Sequence, residues 1–160
     1  MKPHADITPH ENALLERARK YCALSEQCES GVRQKLIVWG ASPDEITPII
    51  AHLRSDNYLN DSRYARAYAE SKILHQHWGK QKVLYQLRQK HLSKEAIAES
   101  MEIVDNEAYL SILRDEATKK LHLLGGELTP DNQRRLLNFL SSRGFTLSEI
   151  NQVITNIEEP

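Results

Sequence analysis

Apolar residues recur every three or four positions along almost the whole chain, and no stretch sustains the alternation that an amphipathic strand requires. The pattern predicts nine helices, over about residues 11–24, 31–39, 43–56, 61–77, 79–90, 93–105, 106–124, 129–143 and 146–157. Their starts are legible. Ser42-Pro43-Asp44-Glu45 and Thr146-Leu147-Ser148-Glu149 each spell a capping box, a hydroxyl followed three residues later by glutamate. Thr129 before Pro130, Ser93 before Lys94, and Asn60-Asp61 supply further caps. Gly31, Gly40, Gly79, Gly125-Gly126 and Gly144 punctuate the pattern, and the Gly125-Gly126 pair reads as a left-handed helix end. The fold class is all-α.

The helices fall into three groups of three, and the groups repeat. With Leu36, Leu87 and Leu140 aligned, Val32, Val83 and Leu136 stand four residues earlier in each group. Ile46, Ile97 and Ile150 stand ten later, then Ile50, Met101 and Ile154, then Leu53, Val104 and Ile157. The capping hydroxyls Ser42, Ser93 and Thr146 align without a gap. Apolar columns at helical spacing predict three tandem three-helix repeats, stacked in an elongated array whose units bury their faces against one another. The expected boundaries are a flexible tail over 1–12, then repeats over 13–56, 57–105 and 106–160.

Composition narrows the function. The 160 residues suit one domain or a short array, and no run approaches the roughly 18 apolar residues of a membrane helix. Residues 1–12 hold no apolar core of a secretory signal. Cys22 and Cys28 match no zinc or redox spacing and read as reduced thiols of a cytoplasmic protein. No nucleophile elbow, phosphate loop, His-Glu-x-x-His or calcium loop occurs. His75 and His77 project about 200° apart on a helix and cannot share a metal, and His4 and His10 fall in the expected tail. Asp56 and Asp61 flank a turn as caps rather than as an acid–base pair. The reading is a non-enzyme with no cofactor and no metal.

Net charge is −1, from 21 lysines and arginines against 22 carboxylates. The distribution is less even than the sum, because residues 71–94 contain no acidic residue. That span holds Lys72, Lys80, Lys82, Arg88, Lys90 and Lys94, a local patch suited to phosphates or an acidic protein surface. On the helix over 79–90, Val83, Leu84 and Leu87 form the buried stripe. Lys82, Tyr85 and Gln89 are then expected to face solvent, with Gln86 and Arg88 on the flanks. Trp39 and Trp78, at helix boundaries, read as wedges between helices.

Asn57-Tyr58-Leu59-Asn60-Asp61-Ser62-Arg63-Tyr64-Ala65, then Trp78-Gly79, then Leu87-Arg88-Gln89-Lys90, resemble the signature of the RecX regulatory family. The resemblance covers residues 17–157 and implies three tandem three-helix repeats. It further implies a regulator that modulates the RecA recombinase, usually by inhibition, from the helical groove of the RecA–DNA filament. Two places depart from the family pattern: Gln27-Cys28-Glu29-Ser30-Gly31 stands where many members carry a basic-Ser segment, and His91 replaces a usual glycine. Many members are basic, whereas this chain is near neutral.

The expected partners are the RecA filament and, weakly, single- or double-stranded DNA, met by a monomer. Arg63 is carried over from the family motif as a contact residue, and Lys72, Lys82, Tyr85, Arg88 and Lys90 come from the helix-face reading. Two alternatives stay open: a sequence-tolerant DNA-binding protein with helix-turn-helix-like modules, and a helical adaptor for another protein.

Overall fold

The structure is a computed structural model that describes residues 7–157. Its helices are α1 (Pro9–Leu24), α2 (Glu29–Val38), α3 (Pro43–Ser55), α4 (Asp61–Ala69), α5 (Lys80–Arg88), α6 (Lys94–Ser100), α7 (Asn106–Leu123), α8 (Pro130–Ser142) and α9 (Leu147–Ile157). No strand occurs among the described residues.

The helices pack as three successive triplets, and the repeat columns coincide with the core. Leu36, Leu87 and Leu140 are each 0% exposed, on α2, α5 and α8 respectively. Val32, Val83 and Leu136 are buried beneath them, and so are Ile46, Ile97 and Ile150 on the third helices. In the remaining columns Met101 and Ile157 are half-buried where their counterparts are buried. The columns extend to backbone conformation. Gly40, His91 and Gly144 each lie four residues beyond the repeat leucine, and all three have positive φ, at 93°, 57° and 102°. Each second helix thus ends on a left-handed residue, and in the middle unit that residue is a histidine.

Several helix bounds differ from the sequence expectation. Helix α1 starts at Pro9, because the Thr8 hydroxyl accepts from the Glu11 amide at 3.1 Å and the Glu11 carboxylate accepts from the Thr8 amide at 3.4 Å. His10 is therefore helical and faces Glu45, which corrects the tail expected over 1–12 for residues 9–12. The rest of that tail up to residue 6, with His4, lies outside the described residues, as does the acidic end Glu158-Glu159 of the third repeat.

The helix expected over 61–77 stays α-helical only to Ala69 and continues as a π-helical turn over Glu70–His75. There the Gln76 amide reaches back to the Ser71 carbonyl at 3.1 Å, and the Trp78 amide to Lys72 at 2.8 Å. Helix α6 ends at Ser100, whose buried hydroxyl donates to the Ile97 carbonyl at 2.6 Å and competes with the helical ladder.

Two apolar cores result. Leu14, Leu15, Ala18, Cys22, Val32, Leu36, Ile46, Ile49, Ile50, Leu53 and Leu59 form one, within the first triplet. The second runs through the other two triplets without interruption, from Ala65, Ile73 and Leu87 to Leu113, Leu140 and Ile154.

Candidate interaction surface

Helix α4 places Tyr64 and Tyr68 one turn apart, and the π-helical turn after it carries Lys72. The two phenol rings stack at 6.1 Å with an interplanar angle of 27°. The Lys90 ammonium, just past α5, lies 5.9 Å from the Tyr64 ring and 5.6 Å from Tyr68. Lys72 stands 5.5 Å from the Tyr68 ring and 4.7 Å from Trp78, and Lys82 covers Trp78 at 4.0 Å. These contacts link Lys90, Tyr64, Tyr68, Lys72, Trp78 and Lys82 into one strip of alternating cations and aromatic rings across the middle triplet.

Among the described residues the ion pairs are all made by arginines and histidines. Lys72, Lys82 and Lys90 rest on aromatic faces, and none of them meets a carboxylate. The ring quadrupole holds each ammonium in place without neutralising it. Burial pushes the Tyr64 and Tyr68 phenols up, so both stay neutral and subtract nothing from the lysine charge. The strip is a row of held, uncompensated positive charges.

The site residues named from sequence separate into three places. Lys72, Lys82 and Lys90 come together on the strip, although Lys82 is half-buried against Trp78 instead of facing solvent freely. Tyr85, 61% exposed, stands on the outward crest of α5. Arg88 lies on the other flank of that helix, beside a depression it lines with Leu84, Leu92, Lys94 and Ile97. Arg63 is engaged internally: its Nε pairs with Glu26, and its Nη2 donates to the carbonyls of Asn57 at 2.9 Å and Tyr58 at 3.3 Å. Sequence reasoning passed over Tyr64 and Tyr68 as site residues; the signal available was their spacing of four, continued at Lys72.

Among the described residues no group of three histidines, cysteines or carboxylates is placed to hold a metal. No helix there is long and apolar enough to cross a membrane. The molecule is a helical-repeat protein with a cationic strip across its middle triplet.

Comparison with known proteins gives that class a family. Residues 60–101, spanning α4 to α6, match the family described as RecX, second three-helix domain. The regulatory protein RecX of Clostridium acetobutylicum is 30% identical over 95% of this chain and 73% of its own length. RecX of Clostridium botulinum is 33% identical over 87% of this chain and 66% of its own. RecX of Escherichia coli is 28% identical over 91% and 92%. Among solved structures, RecX from Lactobacillus salivarius superposes with a TM-score of 0.82 at 18% identity, covering 92% of this chain and 96% of that one. At that identity the likeness is one of fold. The chain belongs to the RecX family of regulatory proteins.

Proposed function

We propose that this chain binds the RecA nucleoprotein filament and restrains it, lowering ATP hydrolysis, strand exchange and coprotease activity. The observation that carries the reading is the strip of Lys72, Lys82 and Lys90, positive and without an ion pair in a chain whose arginines are mostly spent on internal ion pairs. A filament with a phosphate-rich core, or an acidic face on its protein, complements such a row. Restraint needs no catalytic group. A ligand that binds one filament state better than another shifts the equilibrium by that difference in affinity.

Reading DNA alone through helix-turn-helix-like modules is less well supported. The third helix of the middle unit, α6, has seven residues and exposes Glu95 and Glu99, which repel phosphate. The test is RecA ATPase on single-stranded DNA, titrated with the purified protein. Hydrolysis is expected to fall with added protein, and the Lys72→Glu, Lys82→Glu double variant to be much weaker. Undiminished hydrolysis at saturating wild-type protein would sink the proposal.

A further inference from the structure

The three triplets are alike in sequence pattern but joined in two different ways. Between the second and third, the join is apolar and backbone-tight. One core runs through both, the Tyr109 and Phe145 rings meet at 5.6 Å, and the Gly79 amide donates to the Arg143 carbonyl at 2.7 Å.

Between the first and second triplets the join is polar. Glu26 on the α1–α2 loop pairs with Arg63 on α4, Arg54 on α3 reaches Asp61 at 3.3 Å, and the Ser30 hydroxyl donates to the Lys90 carbonyl at 3.5 Å. Cys28, 8% exposed, is buried yet belongs to neither core. Its sulfur sits 3.3 Å from the Ser30 hydroxyl and lies against the Tyr64 phenol. The second carboxylate oxygen of Glu26 is buried and has no partner. A partly exposed ionic seam of this kind is weak and screened by salt, whereas a shared apolar core is not.

We propose that residues 7–59 swing as one rigid body against residues 61–157, with the ionic seam acting as a latch. The hinge lies in the linker that follows α3, where Asn57 has a φ of 62°. Arg63 controls it twice over, spanning the seam to Glu26 and strapping the Asn57 and Tyr58 carbonyls. The latch also governs the strip. Ser25 and Glu26 form one wall of a depression whose other wall is Tyr64, Tyr68 and Lys72. Opening the seam widens that depression and draws the Glu26 carboxylate away from the Lys72 wall. The motion belongs to the chain alone and does not depend on what the strip meets.

The two native thiols report on it. Cys22 is buried inside the first core, while Cys28 is buried in the seam. Alkylation by a neutral reagent, located by mass spectrometry, is measured at low salt and at about 1 M salt, where the Debye length falls to roughly 3 Å. Cys28 is expected to react faster at high salt by about fivefold, what the loss of an ion pair at the strong end of the surface range would give. Cys22, whose thiol also senses the charges of Glu26 and Arg63 but stays inside the first core, should change far less than Cys28. Glu26→Gln, which cuts the latch while leaving the Arg63 strap on the hinge, should accelerate Cys28 at low salt and remove most of the salt response. A Cys22 rate rising in step with Cys28 would mean that the first triplet unfolds instead of swinging, and would overturn the proposal. A Cys28 rate indifferent to both salt and Glu26→Gln would overturn it as well. No RecA enters the experiment, so its failure leaves the proposed function standing.

Discussion

The backbone of Gly79 lies directly on that of Gly144: a Cβ built on Gly79 would stand 2.1 Å from the Gly144 carbonyl carbon and 2.2 Å from its oxygen. The Gln81 amide donates to that same carbonyl oxygen at 3.1 Å, so the two turns are stitched as well as packed. Gly79 has an ordinary φ of −74°, which means that its need for glycine is one of space alone. This accounts for the Trp78-Gly79 pair in physical terms, since the tryptophan anchors the cationic strip and the glycine lets the third triplet dock.

Gly79→Ala is accordingly expected to destabilise the fold by about 1–3 kcal/mol, the usual cost of forcing atoms into a packed site. The loss should appear as a lower Tm in thermal circular dichroism, with helical content retained at low temperature. Gly144→Ala should cost more, because it adds left-handed strain at φ 102° to a contact of 2.4 Å with Lys82. An unchanged Tm for Gly79→Ala would contradict the tight join.

His91 offers the opposite change. It holds the left-handed position that glycine occupies at Gly40 and Gly144, at φ 57°, and its side chain is exposed. A residue with a Cβ costs roughly 1–2 kcal/mol in that conformation, against which glycine loses more entropy on folding. His91→Gly is expected to leave stability level or raise it by up to about 1 kcal/mol, read from urea unfolding with an unchanged m-value. A clear destabilisation would show that the imidazole makes a compensating contact.

Much of this architecture is written in single positions of the sequence. Leu36, Leu87 and Leu140 fix the register because a residue every three or four positions must face the core, and their burial follows from that period alone. Ser93, Thr129 and Thr146 cap as their sequence context demands. Thr8-Pro9-His10-Glu11 carries the same signal as Ser42-Pro43-Asp44-Glu45, so the early start of α1 was equally readable.

Other features were not. The π-helical turn depends on how Ile73 and Trp78 both reach the core, a tertiary demand without a local pattern. The strip joins Lys82 to a ring on the linker before α5 and Lys90 to rings on α4, which the face pattern of α5 alone does not reveal. The unequal joins hinge on residues outside the repeat columns, such as Tyr109 and Phe145 on one side and Glu26 and Arg63 on the other.

Acid should act on the first triplet. The Ser42 amide, then His10, hold the Glu45 carboxyl below its ordinary range. For Glu29, burial pushes the pKa up, but the Arg54 hydrogen bond and then Arg33 outweigh it, so the carboxyl again lies low. A carboxylate with a lower pKa in the folded than in the unfolded state stabilises the fold fully above the unfolded value, about 4.3. That contribution is lost as pH falls through the folded value. Amide exchange in α1–α3 is therefore expected to quicken as pH drops from about 5 to about 3, after correction for intrinsic exchange rates. Glu29→Gln, which keeps the shape but not the charge, should blunt the response. Equal protection at both pH values would show that these pairs do not matter to the first core.

The final prediction separates the two flanks of α5. Lys72 and Lys82 share the Trp78 ring, while Arg88 lines the depression beside Ile97 on the far side of the helix. No carboxylate interrupts residues 71–94, so charges on the strip add, and their field reaches roughly 8 Å at physiological salt. Reversing Lys72 and Lys82 to glutamate removes their cation–π contacts, at about 0.5–1 kcal/mol each, which leaves the fold standing. Against an anionic partner the same change sets like charges face to face, which costs several kcal/mol.

The Lys72→Glu, Lys82→Glu variant is thus expected to keep its helical content and lose RecA inhibition by at least about tenfold. Added salt should mimic that loss in the wild type. Arg88→Glu alone should inhibit nearly as well as wild type, and Lys82→Glu with Arg88→Glu should fall between the two. Titration of RecA ATPase with all four proteins decides the matter. If Arg88→Glu were the variant that failed, the contact would lie on the far flank of α5. If the lysine pair inhibited like wild type, the strip would be no more than a solvated face.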